Sequence, residues 1–456
     1  MSQKLAPIDN PITTHRQKEV YAWILLALSA LALAGIFSIL LVVQRTPVLQ
    51  NILPGHDFFH TALTVHVNLS VLVWMLSITG AMGSLLYPKY LDGLGRYFAV
   101  LAGLGALAMA LSPFGGSGIP FMNNYVPIFY HPLFIFGLSL FLVSLAGHAL
   151  VVCFSAKLGK THETLAFTTG IYSSVFMVIF ALVYFVISYY KLKFENASYP
   201  DLEHYYNLLF WGGGHILQMA YTQIMSIAWL WILYKVTSQE IRFSRILQLL
   251  FIGNALLAIL SIPAYLVYPV ASSDFQYFFT QHMRYVGGVL PVVITLLYAR
   301  PLFSLLKKFP FGLTAPALCL AYSLVLFYMG GTLGWLITGA NVTIPAHYHG
   351  SIIGISIALI GWVQIMLPEI GCAPLEGKMI RWQPHILAIG QILHISGLAL
   401  SGGYGALRKD PSLIINTKIK ICMGIMGLGG LLAIIGGLLF VIPCLLTLMK
   451  RSKHYN

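Results

Sequence analysis

The chain has 456 residues, of which 58% are hydrophobic and 9% charged, with a mean hydropathy of +0.82. That composition excludes a soluble domain and leaves a polytopic helical membrane protein. A net charge of +13 would point to nucleic acid in a soluble protein. Here the basic residues cluster in loops between apolar runs and read as topology signals in a lipid bilayer, so no nucleic-acid partner is expected. The five cysteines (Cys153, Cys319, Cys372, Cys422 and Cys444) are scattered and form no CxxC or CxxCH, which argues against a disulfide framework, a zinc knuckle or a c-type attachment site.

Twelve transmembrane helices are predicted, at residues 20–43, 57–87, 97–112, 130–154, 165–190, 205–234, 245–268, 275–298, 313–338, 344–367, 383–406 and 418–448. Each can cross a hydrocarbon core of ~30 Å, the third being the shortest. No internal repeat or long linker is visible, so the fold class is an all-α membrane bundle forming a single domain over residues 1–456. An even number of spans puts both termini on one side. Loops of that side carry eighteen Lys and Arg against seven opposite, which places both termini in the cytoplasm, in a bacterial inner membrane. The remaining basic residue, Arg284, lies inside the eighth span, where a charge is costly and commonly functional.

Histidines recur at one depth along the even-numbered spans. His66 lies about two turns into span 2, His131 begins span 4, His215 lies two turns into span 6, His282 two turns into span 8, and His347 and His349 open span 10. Each residue turns a helix by ~100°, so His347 and His349 project to nearly opposite sides. One helix can then serve two metals; alternatively, both imidazoles are wetted by headgroups. Neutral imidazole is the common ligand of haem iron and of copper, and a layer of histidines from several helices favours a metal or haem site over satisfied core residues. Gly212-Gly213-Gly214 before His215, and Gly330, Gly331, Gly334, Gly339 and Gly350 near span 10, leave room for a flat macrocycle or for close helix packing. All thirteen acidic residues fall in loops, tails or span ends, so no carboxylate relay crosses the midplane.

Three of these segments carry a resemblance. His66-Val67-Asn68-Leu69-Ser70-Val71-Leu72-Val73-Trp74 resembles the low-spin haem helix of subunit I in the haem-copper oxidase superfamily, which includes cytochrome c oxidases and nitric oxide reductases. Trp211-Gly212-Gly213-Gly214-His215 resembles the helix supplying the first ligand of the non-haem metal, and Ala346-His347-Tyr348-His349 the helix serving both haems. The resemblance implies that His66 and His349 are the axial ligands of a low-spin haem. It makes His347 the proximal ligand of a high-spin haem, both haems of b type, and His215 a ligand of one non-haem metal, copper or iron. Arg408 and Lys409, after span 11, resemble the basic pair that meets haem propionates.

The departures are as specific. Where the family has two adjacent histidines on span 7, this chain reads Ala264-Tyr265, which leaves His282 either as a ring hydrogen-bonded to a backbone carbonyl or as the further imidazole for a metal shared with His215. Four residues after His215, where oxidases carry a tyrosine, stands Met219, with Tyr265 or Tyr277 as substitutes; no glutamate of the reductase kind accompanies it. The expected function is a membrane dihaem respiratory oxidoreductase that passes electrons from the low-spin to the high-spin haem and reduces NO or O2, without an acidic pumping relay. Electrons would come from a partner subunit, cytochrome c or a quinol. The alternatives are a non-catalytic haem protein for electron transfer or gas sensing, and a transporter with a histidine-lined cavity.

Overall fold

The computed structural model describes residues 12–45, 58–155, 161–195, 199–239, 242–337, 341–403 and 417–452. In chain order its helices are α1 (Thr14–Arg45), α2 (Phe58–Ser84), α3 (Leu94–Leu111), α4 (Pro132–Ser155), α5 (His162–Phe194), α6 (Leu202–Thr237), α7 (Ser244–Ile259), α8 (Ala264–Val267), α9 (Ser273–Tyr285), α10 (Val289–Leu297), α11 (Ala299–Leu306), α12 (Ala315–Trp335), α13 (Thr343–Glu369), α14 (Lys378–Gly403) and α15 (Thr417–Ser452). Among the described residues, eleven helical segments are long and apolar enough to cross a membrane; a twelfth is the bent assembly Ser273–Leu297 plus Ala299–Leu306, which turns by 72°. The all-α polytopic bundle expected from hydropathy is therefore what forms.

The ends of these helices follow from local chemistry. Thr161 and Thr164 form a reciprocal capping box at the start of α5. Asp201 Oδ1 accepts the His204 N–H at 2.7 Å and caps α6. Pro263 follows the end of α7, since its ring removes a donor from the helical ladder. Gly287 and Gly288 separate α9 from α10, so the seventh and eighth predicted spans are each interrupted where hydropathy reads them as continuous.

The chain forms two compact units, one from Met1–Ile227 and Glu240–Ile294, the other from Ala228–Gln239 and Thr295–Asn456. In the first, α1 packs on α2, α3 on α4 and α5 on α7. Gly105 of α3 faces Gly137 of α4 so closely that a Cβ on Gly105 would stand 2.6 Å from the Gly137 carbonyl. A two-stranded antiparallel ribbon, β1 (Ile119–Phe121) and β2 (Ile128–Tyr130), joins α3 to α4. Asn68–Val73 of α2 is a π-helical turn directly after His66, a distortion often found at functional sites. A buried network ties α5, α6 and α7: Gln223 donates to Ser173 Oγ at 2.7 Å and to the Gly170 carbonyl at 3.0 Å, and Asn254 donates to Gln223 Oε1 at 2.9 Å.

In the second unit α12 packs on α13, α13 on α14 and α14 on α15. Glycines carry these contacts. Gly350 lies on Gly330, with a Cβ on Gly350 only 2.5 Å from the Gly330 Cα, and Gly397 faces the Cys422 carbonyl equally closely. Trp229 donates to Ser323 Oγ at 2.7 Å, and Ser323 donates to the Gly354 carbonyl at 2.6 Å.

Candidate functional site

In the first unit, three histidines of the predicted layer share one arrangement. His66 Nδ1 lies 2.9 Å from the Ala34 carbonyl and 3.1 Å from Ser38 Oγ. A carbonyl only accepts, so Nδ1 carries the proton and the lone pair of the neutral ring sits on Nε2. His215 Nδ1 donates to the Trp211 carbonyl at 2.7 Å, which likewise puts its lone pair on Nε2. His282 is the mirror case: Nε2 donates to the Leu257 carbonyl at 3.1 Å, and Nδ1 is buried with no hydrogen-bond partner. In each ring one nitrogen donates to a backbone carbonyl, the outer-sphere pattern that orients metal-bound imidazoles.

The Phe279 ring centroid lies 5.7 Å from that of His215 and 6.5 Å from that of His282. Tyr125, between β1 and β2, places its hydroxyl 3.0 Å from both ring nitrogens of His215. Burial pushes this phenol well above its ordinary range. Each glycine before His215 admits an aromatic ring: a Cβ on Gly212 would strike the Tyr265 hydroxyl, one on Gly213 the Phe185 ring, and one on Gly214 the Tyr125 ring. The Tyr265 hydroxyl is engaged by Ser188 Oγ at 3.0 Å and the Tyr184 carbonyl at 3.4 Å. Tyr277 is 65% exposed and points away from such a role. His131 stacks on Phe129 at 5.4 Å and accepts the Leu133 N–H, so it terminates the ribbon and starts α4. Arg284 is exposed in this unit.

In the second unit, His347 Nδ1 donates to the Gly330 carbonyl at 2.7 Å, leaving Nε2 as the acceptor. His349 lies beside His394, centroids 4.7 Å apart and rings tilted by 62°. His394 is anchored in turn by the Met426 carbonyl at 3.0 Å. Arg408 and Lys409 lie outside the described residues. No group of three or more His, Cys, Asp or Glu converges among the described residues; a site on His215 and His282 needs a donor of another type.

Two residues beside these histidines are absent from the sequence reading. Tyr125 lies in a short loop ninety positions before His215, and no periodicity links the two. His394 sits in the middle of an apolar span, without a neighbouring motif.

Residues 18–449 match the family described as "Cytochrome C and Quinol oxidase polypeptide I". An uncharacterized protein of Rickettsia prowazekii (strain Madrid E) is 34% identical, over 94% of this chain and 96% of that one. An uncharacterized protein of Aquifex aeolicus (strain VF5) is 27% identical, over 79% of this chain and 88% of that one. Among solved structures, the cryo-EM structure of a haem-copper terminal oxidase dimer superposes with a TM-score of 0.67 at 14% identity, covering 94% of this chain and 84% of that chain.

Proposed function

Because the chain belongs to the family of subunit I of the cytochrome c and quinol oxidases, we propose that this membrane oxidoreductase binds two haems and reduces NO or O2. His66 and His349 would hold the iron of the low-spin haem, and His347 would hold the iron of the high-spin haem. His215 and His282 hold one non-haem metal, copper or iron. Arg408 and Lys409 meet the propionates. The single observation that carries the reading is the shared anchoring of His66, His215 and His347, each donating Nδ1–H to a backbone carbonyl and keeping Nε2 for iron or copper. The haems, when bound, supply electron transfer and an iron with one position open to gas.

The chain's own groups hold the ligands in place. The Ala34 carbonyl and Ser38 fix the His66 ring, the Gly330 carbonyl fixes His347, and the Leu257 carbonyl fixes His282. The carboxylate that is fully buried among the described residues, Glu19, is tied to the Gly93 N–H at 2.5 Å and faces Arg96 at 3.5 Å. It sits in the opening turns of α1 and is engaged there, which supports a chemistry without an acidic relay through the midplane. Electrons arrive from cytochrome c, a quinol or a partner subunit.

The replacement of the histidine pair by Ala264-Tyr265 favours a second reading, a haem protein that transfers electrons or senses gas without turnover. Visible difference spectra of His66→Ala, His349→Ala and His347→Ala, with gas consumption by the parent, separate the two. His66→Ala and His349→Ala should both remove the low-spin bands and spare CO binding; His347→Ala should do the reverse. Loss of the low-spin bands in one of the first two alone breaks the pairing. Two intact haems without gas uptake favour the second reading.

A further inference from the structure

We infer that His394 is a positioning residue that sets the plane of the His349 imidazole. The inference rests on the reading that His349 would hold the iron of the low-spin haem, and it adds a residue outside the ligand set. All the groups concerned lie in the second unit.

The first observation is the contact. The His394 and His349 rings have centroids 4.7 Å apart and planes inclined by 62°, an edge-on arrangement. Rings packed edge to face resist rotation of either one, because the favourable geometry is lost when a plane turns. The second observation is that His394 is itself held. Its Nδ1 donates to the Met426 carbonyl of α15 at 3.0 Å. A carbonyl only accepts, so this bond fixes the tautomer as well as the angle of the ring. An aliphatic side chain in the middle of an apolar span would fill the same space without that direction.

The third observation is the seam around the ring. Gly390, His394 and Gly397 stand at i, i+4 and i+7 of α14, on one face of the helix. A Cβ on Gly390 would lie 2.6 Å from the Ala433 nitrogen, and one on Gly397 would lie 2.5 Å from the Cys422 carbonyl. From the other side, a Cβ on Gly429 of α15 would collide with the His394 nitrogen, and one on Gly430 would lie 3.4 Å from its Nδ1. The imidazole is thus the one bulky group between two glycines, and the backbones that carry it and Met426 are closed on each other above and below. Neither end of the Nδ1 bond can drift.

Groups outside the ligand set orient a metal-bound imidazole. His66, His215 and His347 are oriented by backbone carbonyls directly. At His349 a second imidazole stands between the ring and such a carbonyl. The effect is one of orientation, and no proton or electron is exchanged between the two rings.

The test uses the full chain purified from membranes. Haem content and CO binding check folding. The oxidised protein is examined by electron paramagnetic resonance, in which the low-field g value of a low-spin haem follows the orientation of its axial imidazoles. The parent should give one narrow low-spin line. His394→Ala should move that line to a different g value, because the His349 ring loses its neighbour. His394→Phe keeps an aromatic ring and loses the bond to Met426. Its line should broaden into a spread of orientations, and this variant carries the test if the alanine variant binds no haem. CO binding should match the parent's in both. A line that stays in place and equally narrow in both variants, but disappears in His349→Ala, overturns the positioning role and leaves the haem ligand standing. A line that survives in His349→Ala overturns the ligand reading and His394 with it.

Discussion

A Cβ on Gly334 would stand 2.7 Å from both Cε1 and Nδ1 of His347. The ring cannot accept that atom and keep its bond to the Gly330 carbonyl, so Gly334→Ala should tilt the imidazole away from the iron proposed for it. The expected result is CO affinity lowered by ~10-fold or more, with the low-spin bands unchanged; CO titration of the reduced protein measures it. An affinity equal to the parent's would mean that the carbonyl anchor does not set the ligand's position. The sequence singled out His66, His215, His347 and His349 because imidazoles at one depth are costly unless used, and three of them, His66, His215 and His347, prove to share a backbone-carbonyl anchor on Nδ1. It could not show what the glycines before His215 accommodate. Room for a macrocycle or for a helix was a fair reading: Gly213 does take the α5 backbone, with the Ala181 carbonyl 2.6 Å from a Cβ, while Tyr265, Phe279, Phe185 and Tyr125 fill the rest of the space. Tyr125 stayed hidden because its loop is organised by Asn123 and Asn68, side chain to backbone, and no pattern of apolar residues records that.

Among the elements, hydropathy located the helices and missed their interruptions. The third span, predicted at 97–112, forms as Leu94–Leu111. The seventh and eighth predicted spans pass from α-helix into tight turns at residues 260–263 and 286–288, where apolar character continues and shorter turn bonds, such as Val289 N–H to the Val286 carbonyl at 3.1 Å, replace part of the helical ladder. Helix contacts are sharper than the sequence suggested. Gly397 of α14 would place a Cβ 2.5 Å from the Cys422 carbonyl and 2.6 Å from the Met426 N–H group, whereas Gly427 of α15 has nothing within 4 Å. Gly397→Val should therefore cost about 1–3 kcal/mol by overpacking. Gly427→Ala should gain about 0.8–1.0 kcal/mol from helix propensity. Thermal unfolding in one detergent compares them; equal midpoints would show that the α14–α15 contact is not close-packed. Because Met426 anchors His394, the first substitution should also disturb the low-spin spectrum.

For the whole molecule, the bent segment decides topology. Ser273–Leu297 turns by 72° into α11, whose Phe303 is 64% exposed and lies under the Lys307 ammonium at 4.9 Å. An amphipathic piece ending in Lys307 and Lys308 suits a headgroup layer on the cytoplasmic side. If α9 and α10 cross and α11 lies flat, twelve crossings keep both termini on one side; if they do not, eleven put the termini on opposite sides. Alkaline phosphatase fused after Ser272 should be active and after Lys308 inactive, while a fusion at Gln239 should be inactive. Equal activity at Ser272 and Lys308 would remove the eighth crossing. The count of spans was legible in composition; the route of this one was not, because the bend falls at Tyr298, the last residue of the predicted span, and hydropathy records no direction.

The π turn at Asn68–Val73 holds one residue more than an α turn would over the same rise. That surplus residue acts as a phase shifter inside α2. Upstream, His66 is oriented by Ala34; downstream, Gly80 lies under the Trp23 ring and Gly83 beside His148. Removing one residue from the turn would rotate everything after it by ~100°, and bulkier side chains would meet Trp23 and His148. The His66 end and the packed end of the helix are thus set to separate angular references, and an alignment with any chain that lacks the turn must open a one-residue gap between His66 and Trp74.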